Sequence, residues 1–129
     1  MKNNELFQKA QSARYLALEL AHNANESHSG GAMSMADVLI TLYANYLNNT
    51  PQTQNEVNRD RFILSKGHCC SLYYAILAEM GFFTKQELLD NFAKNGTHFF
   101  AHASHTLPGV ELSTGSLGHG LPVSCGLAL

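Results

Sequence analysis

A chain of 129 residues has room for one small domain or part of a larger one, and with 45% apolar and only 14% charged residues it is too hydrophobic to stay disordered. Its formal net charge of −2 offers no basic field to nucleic acid or to an anionic membrane, so any phosphate it binds must be held by local geometry. Three cysteines, with Cys69 and Cys70 adjacent, make neither a disulfide framework nor a CxxC pair; with no apolar leader and no membrane-length apolar run, a reduced, cytoplasmic setting is expected.

Leu6, Ala10, Ala13, Ala17, Leu20 and Ala24 recur at steps of four and three, which predicts a helix over Asn4–Asn23 with an alanine-rich stripe suited to close packing. Ser27-His28-Ser29-Gly30-Gly31 breaks that pattern and bares backbone N–H groups. Ser34 and Asp37 have the spacing of a capping box and predict a second helix, with Val38, Leu39, Leu42, Tyr43 and Tyr46 facing inward. After a polar stretch to Asp60, the apolar run Arg61-Phe62-Ile63-Leu64-Ser65 reads as a buried strand. It leads through Lys66-Gly67-His68 into a helix from about Cys70 to Met80, with Gly81 as its cap. Thr84-Lys85-Gln86-Glu87 is a capping box for a further helix ending near Gly96.

Residues 97–120 differ in character. They hold His98, His102, His105 and His119 with Pro108 and four glycines, a composition that marks a working loop and not idle connection. Leu121–Leu129 turns apolar and reads as the start of another helix. One strand–turn–helix unit among helices predicts an α/β layer, mostly helical over the residues present, whose remaining strands lie beyond Leu129 or in another chain.

Three features carry chemistry. In Ser65-Lys66-Gly67-His68, a glycine between strand and helix aims N–H groups and a helix N-terminus at one point, an arrangement that binds anions and that His68 extends by one donor. Gly115-Ser116-Leu117-Gly118-His119-Gly120 permits close backbone approach to a flat or charged ligand, yet lacks the spacing of a Walker loop or a dinucleotide fingerprint. His28, His68 and His102 each sit in a loop beside small residues, as suits proton transfer near neutral pH. Each feature alone also admits a plain reading: a tight turn, or a histidine whose hydrogen bonds are satisfied. A zinc hydrolase built on His98, His102 and His105, with His119 or Glu111, is an alternative whose ligand spacing is irregular.

Read in order, Ser27-His28-Ser29-Gly30-Gly31, Asn58-Arg59-Asp60-Arg61-Phe62-Ile63-Leu64-Ser65-Lys66-Gly67-His68, Ala101-His102, Leu107-Pro108-Gly109-Val110-Glu111 and Ser113-Thr114-Gly115-Ser116-Leu117-Gly118-His119-Gly120 resemble the start of transketolase over about Ala13–Leu129. The Lys-Gly-His and Leu-Gly-His-Gly forms are most similar to the N-terminal half of split bacterial transketolases, whose two halves are separate chains. The resemblance implies a fold, an incomplete portion of a thiamine-diphosphate-binding parallel sheet, and an activity, transfer of two-carbon ketol units between sugar phosphates in the pentose phosphate pathway or a related one. It implies thiamine diphosphate and Mg2+ or another divalent cation as cofactors and, as partners, a homo-oligomer and a C-terminal transketolase subunit. His68 then matches the histidine on the cofactor diphosphate. Gly115, Ser116 and Leu117 match the stretch against the aminopyrimidine end, and His28 and His102 match histidines at the substrate mouth.

Some residues depart from the family pattern. The family's Gly-Asp-Gly metal motif does not occur in residues 1–129, so the segment is expected to be a partial diphosphate-binding domain without metal ligands and inactive by itself. Pro122 stands where a small residue is expected, at a first helical turn that tolerates it. Two alternatives stay open: a non-catalytic remnant or assembly module, and a sister thiamine-diphosphate enzyme such as a deoxyxylulose-phosphate synthase.

Overall fold

A computed structural model describes all residues, 1–129. Six α-helices follow one another: α1 (Asn3–Asn23), α2 (Ser29–Met33), α3 (Ala36–Asn45), α4 (Cys70–Glu79), α5 (Lys85–Asn91) and α6 (Gly120–Leu127), with a 3₁₀ turn over Gly67–Cys69 leading into α4. None of them is long and apolar enough to cross a membrane.

The core is organised around α4. Every residue from Cys70 to Ala78 is buried, because α1, α3 and α5 pack around it and α2 covers its N-terminal end. Against it α1 presents Ala10, Ala13, Leu16, Ala17, Leu20 and Ala21, the expected stripe widened by Leu16 and Ala21. The small alanines let the two helix backbones approach closely, and large α4 side chains such as Leu72 and Ile76 are fully buried. Ends of helices obey local chemistry. The α4 terminus closes as a Schellman motif: Phe82 N–H donates to Leu77 C=O (3.0 Å) and Gly81 N–H to Ala78 C=O (3.1 Å), with Gly81 at φ +86°. Thr84 Oγ1 accepts from Glu87 N–H at 3.0 Å and starts α5 as expected.

Elsewhere the structure corrects the sequence reading. The second helix, α3, buries Ala36, Leu39, Ile40 and Tyr43, whereas Val38 (62% exposed) and Tyr46 (74%) face outward. Its N-terminus is not capped by Ser34, whose hydroxyl donates to Gly31 C=O at 2.9 Å instead. Helix α5 stops at Asn91, short of Gly96. Phe92 leaves the helical conformation, Ala93 adopts φ +55° with its N–H on Phe99 C=O (2.7 Å), and Thr97 Oγ1 donates to Asn91 C=O (2.8 Å), which turns Phe92 and Phe99 into the core. The expected strand at 61–65 does not form: residues 61–64 have no regular structure and Ser65 lies in a bend. A strand needs a neighbour to complete its hydrogen-bond ladder, and none of the residues present supplies one. The chain as it stands is helical, without a sheet.

Residues 97–119 run without regular structure along α4, taking bonds from Cys70, Tyr73 and Tyr74. Beyond them α6 forms where the apolar C-terminal stretch predicted it, with Gly120 its one buried residue.

Candidate functional site

The site grows out of four consecutive residues, Leu64–Gly67, each of which ties down a different part of the chain. Leu64 C=O accepts from Thr114 Oγ1 at 2.6 Å, and Ser65 Oγ accepts from Gly120 N–H at 3.1 Å. Lys66 Nζ donates to Gly31 C=O at 2.6 Å, and Gly67 C=O accepts from Ala103 N–H at 3.2 Å. Ser65 and Lys66 lie in a bend that runs into the 3₁₀ turn at Gly67, so the chain changes direction here and reaches partners on several sides. Gly67 is required for sterics: a Cβ there would stand 2.2 Å from the Thr114 carbonyl oxygen. One turn therefore gathers the loops at 28–34, 103 and 114–120.

The consequence is a histidine cluster. The His28 and His68 ring centroids lie 5.1 Å apart, inclined by 59°, and His28 and His102 lie 6.4 Å apart, nearly edge-on. His28 is supplied by the residue before α2, His68 by the 3₁₀ turn, and His102 by the long loop. His102 is fixed from behind. The buried Tyr74 donates its hydroxyl to His102 C=O (2.9 Å) and accepts from Ser104 N–H (3.0 Å). Burial pushes the Tyr74 phenol well above its ordinary range, so it stays a neutral donor.

Electrostatics favour a neutral imidazole at His68. His68 is held below its ordinary value, first by desolvation and then by His28, His102 and Lys66. Glu26, behind the cluster, is raised by desolvation, while His28 and His102 oppose that shift. The result is a surface rich in N–H donors beside a helix N-terminus, which is suited to phosphate or hydroxyl oxygens and to moving single protons.

The other expected residues are distributed around this centre. Gly115 lies against His102: a Cβ on it would be 3.8 Å from the His102 ring. Ser116 shares an open cavity with His102, His105 and His119. Leu117, 75% exposed, lines a separate apolar trough of about 470 Å³ with Val38, Leu42, Phe62 and Leu64. No three or more histidine, cysteine or acidic side chains are placed to hold a metal ion. His105 Nδ1 instead engages Ser113 Oγ at 2.7 Å, and Glu111 takes Arg59 at 2.6 Å and Arg61 at 2.5 Å, so the zinc-hydrolase arrangement does not form.

Several contributors escaped the sequence reading. Thr114, Tyr74 and the Lys66 side chain act over long chain separations that leave no local mark. The Arg59–Glu111–Arg61 bridge joins two nearby arginines to one acid some fifty residues on.

Comparison with known proteins gives the arrangement its context. Residues 7–129 match the family described as transketolase, thiamine diphosphate binding domain. One subunit of the apulose-4-phosphate transketolase from Phocaeicola vulgatus is 38% identical over 112 residues, covering 87% of this chain and 40% of that protein. Its counterpart from Actinobacillus succinogenes is 40% identical, covering 98% of this chain and 46% of that one. The crystal structure of transketolase from Campylobacter jejuni superposes with a TM-score of 0.90 at 32% identity, over 99% of this chain and 20% of that chain. The chain thus spans less than half the length of the relatives it matches.

Proposed function

Because the chain belongs to the transketolase family, in its thiamine diphosphate binding segment, we propose that it forms the diphosphate side of an enzyme that transfers two-carbon ketol units between sugar phosphates. The observation that carries this reading is the meeting of His28, His68 and His102 at one edge of the α4 N-terminus. A diphosphate suits the residues present: the His68 ring N–H and the helix start offer donors to phosphate oxygens, and Gly67 leaves the backbone bare beside them. Thiamine diphosphate supplies the electron sink for cleaving and forming the carbon–carbon bond. This chain's residues do the rest. His68 orients a phosphate oxygen, while His28 and His102, exposed at the mouth, hold the donor sugar's hydroxyls and exchange protons at their ring nitrogens. Gly115 and Ser116 give the cofactor's flat ring a surface without side-chain bulk.

A divalent cation does not suit the residues present, for want of an oxygen-ligand set. In this reading its ligands come from chain outside residues 1–129, which make a partial domain. The same outside chain completes a parallel sheet on residues 61–65. Their unpaired backbone and the trough beside them, lined by Val38, Leu42 and Phe62, support that placement. Two relatives that are themselves subunits of a transketolase motivate the partner, a C-terminal transketolase subunit.

The test is reconstitution of the native protein with a C-terminal transketolase subunit, thiamine diphosphate and Mg2+, followed by a ketol-transfer assay between sugar phosphates. Transfer that disappears in His28→Ala and His102→Ala is expected; a cofactor-loaded complex with no transfer contradicts the reading. Residues 1–129 alone are expected to bind no thiamine diphosphate at micromolar level by calorimetry, and tight binding would overturn the partial-domain account.

A further inference from the structure

Helix α2 is five residues long and has no side-chain cap, so it cannot hold its shape or place by backbone hydrogen bonding alone. Yet the residue before it, His28, must be held for the cluster to exist. Two contacts fasten it. Gly31 sits so tightly on the 3₁₀ turn that a Cβ would come within 2.8 Å of Cys69 Sγ, with His68 Nε2 at 3.7 Å. The Gly31 carbonyl is also claimed twice, by Lys66 Nζ at 2.6 Å and by Ser34 Oγ at 2.9 Å, and Lys66 reaches Ser34 Oγ at 3.2 Å.

We propose that Lys66 is a positioning residue: its ammonium straps the His28-bearing loop to the turn that carries His68, so that both imidazoles serve one site. The bond is charge-assisted and therefore stronger than the neutral one that Ser34 makes. It also meets the Gly31 carbonyl in the closing turn of α2, where positive charge is favoured. Lys66 has a second effect by proximity. With Glu26, His28, His102 and Cys69 as the other titratable groups around the cluster, it is the one fixed cation, and it disfavours a proton on His68. A strap made by an ammonium thus fixes the geometry of the pair and adds, after desolvation, His28 and His102, a further push against protonating His68. The catalytic meaning of this pairing rests on the ketol-transfer reading; the strap itself rests on the geometry alone.

The experiment uses the full native protein, with Lys66→Met and Lys66→Arg, and reads the histidine ring nitrogens by NMR across a pH series. In Lys66→Met the His68 midpoint should rise and cross-peaks between the His28 and His68 rings should vanish, while Lys66→Arg keeps both. In the reconstituted complex, kcat of Lys66→Met should fall by about 10²-fold, as for a misplaced group, with Lys66→Arg recovering most of it. Unchanged midpoint and cross-peaks in a folded Lys66→Met protein overturn the proposal. Should Lys66→Met fail to fold, the wild-type Lys66 ammonium signal decides: protection from exchange with a contact to Gly31 supports the strap, and a freely averaging ammonium refutes it. Because the NMR readouts need no cofactor, loss of the ketol-transfer reading would leave the strap standing, and the reverse also holds.

Discussion

The α1–α4 core and the loop-built site at its end are held together in opposite ways. In the core, many equivalent apolar contacts surround side chains such as Leu72 and Ile76, and no one of them decides the position of its neighbours. At the site, each loop hangs on one or two polar contacts to Leu64–Gly67, and the histidines that the loops carry are exposed or half-buried. Stability therefore resides in the first region and precision in the second, and a substitution in one should leave the property of the other largely intact.

The largest expected effect tests that separation from the core side. Leu72→Ala should cost about 2–5 kcal/mol in denaturant unfolding through the cavity it leaves, without changing the titration of His28, His68 or His102. Next comes Gly67→Ala, which forces a methyl group onto the Thr114 carbonyl. It should cost about 1–3 kcal/mol and, unlike the core change, shift the ring-nitrogen signals of the cluster. Thr84→Ala removes the α5 cap and should cost about 1 kcal/mol in the same unfolding experiment, with the histidines undisturbed.

The smallest effect is a pH slope. His68 is harder to protonate in the folded chain than unfolded, so the unfolded state binds more protons once pH falls below the ordinary value of 6.5. Its contribution to stability is thus present above that pH and is lost on acidification. His68→Gln should flatten the acid side of the stability curve; an unchanged curve would show that the site does not depress this imidazole.

The same division explains what could be read in advance. Gly81 and Thr84 act within a few residues of themselves, so the end of α4 and the start of α5 were legible from spacing. The α1 stripe was legible because it repeats over many turns. Helix α3 was misoriented because its short apolar pattern allows two faces, and contact with α1 and α4 selects Ile40 over Val38. Ser34 has the chemistry of a cap, but a competing carbonyl at Gly31 takes its hydroxyl. Residues 61–65 have a strand's composition and lack a strand's neighbour. As for the site, its motifs pointed to His28, His68 and His102 through a family resemblance. The bonds from Thr114, Tyr74 and Lys66 that bring them together depend on residues too distant in sequence for any local pattern to show.

The central claim is that three histidines from separate loops act as one site, and ring-nitrogen NMR of the protein in its reconstituted complex tests it most directly. On titration with thiamine diphosphate and Mg2+, His28, His68 and His102 should shift together with a common midpoint while His98 stays still. Independent midpoints, or a response confined to histidines outside the cluster, would contradict the account.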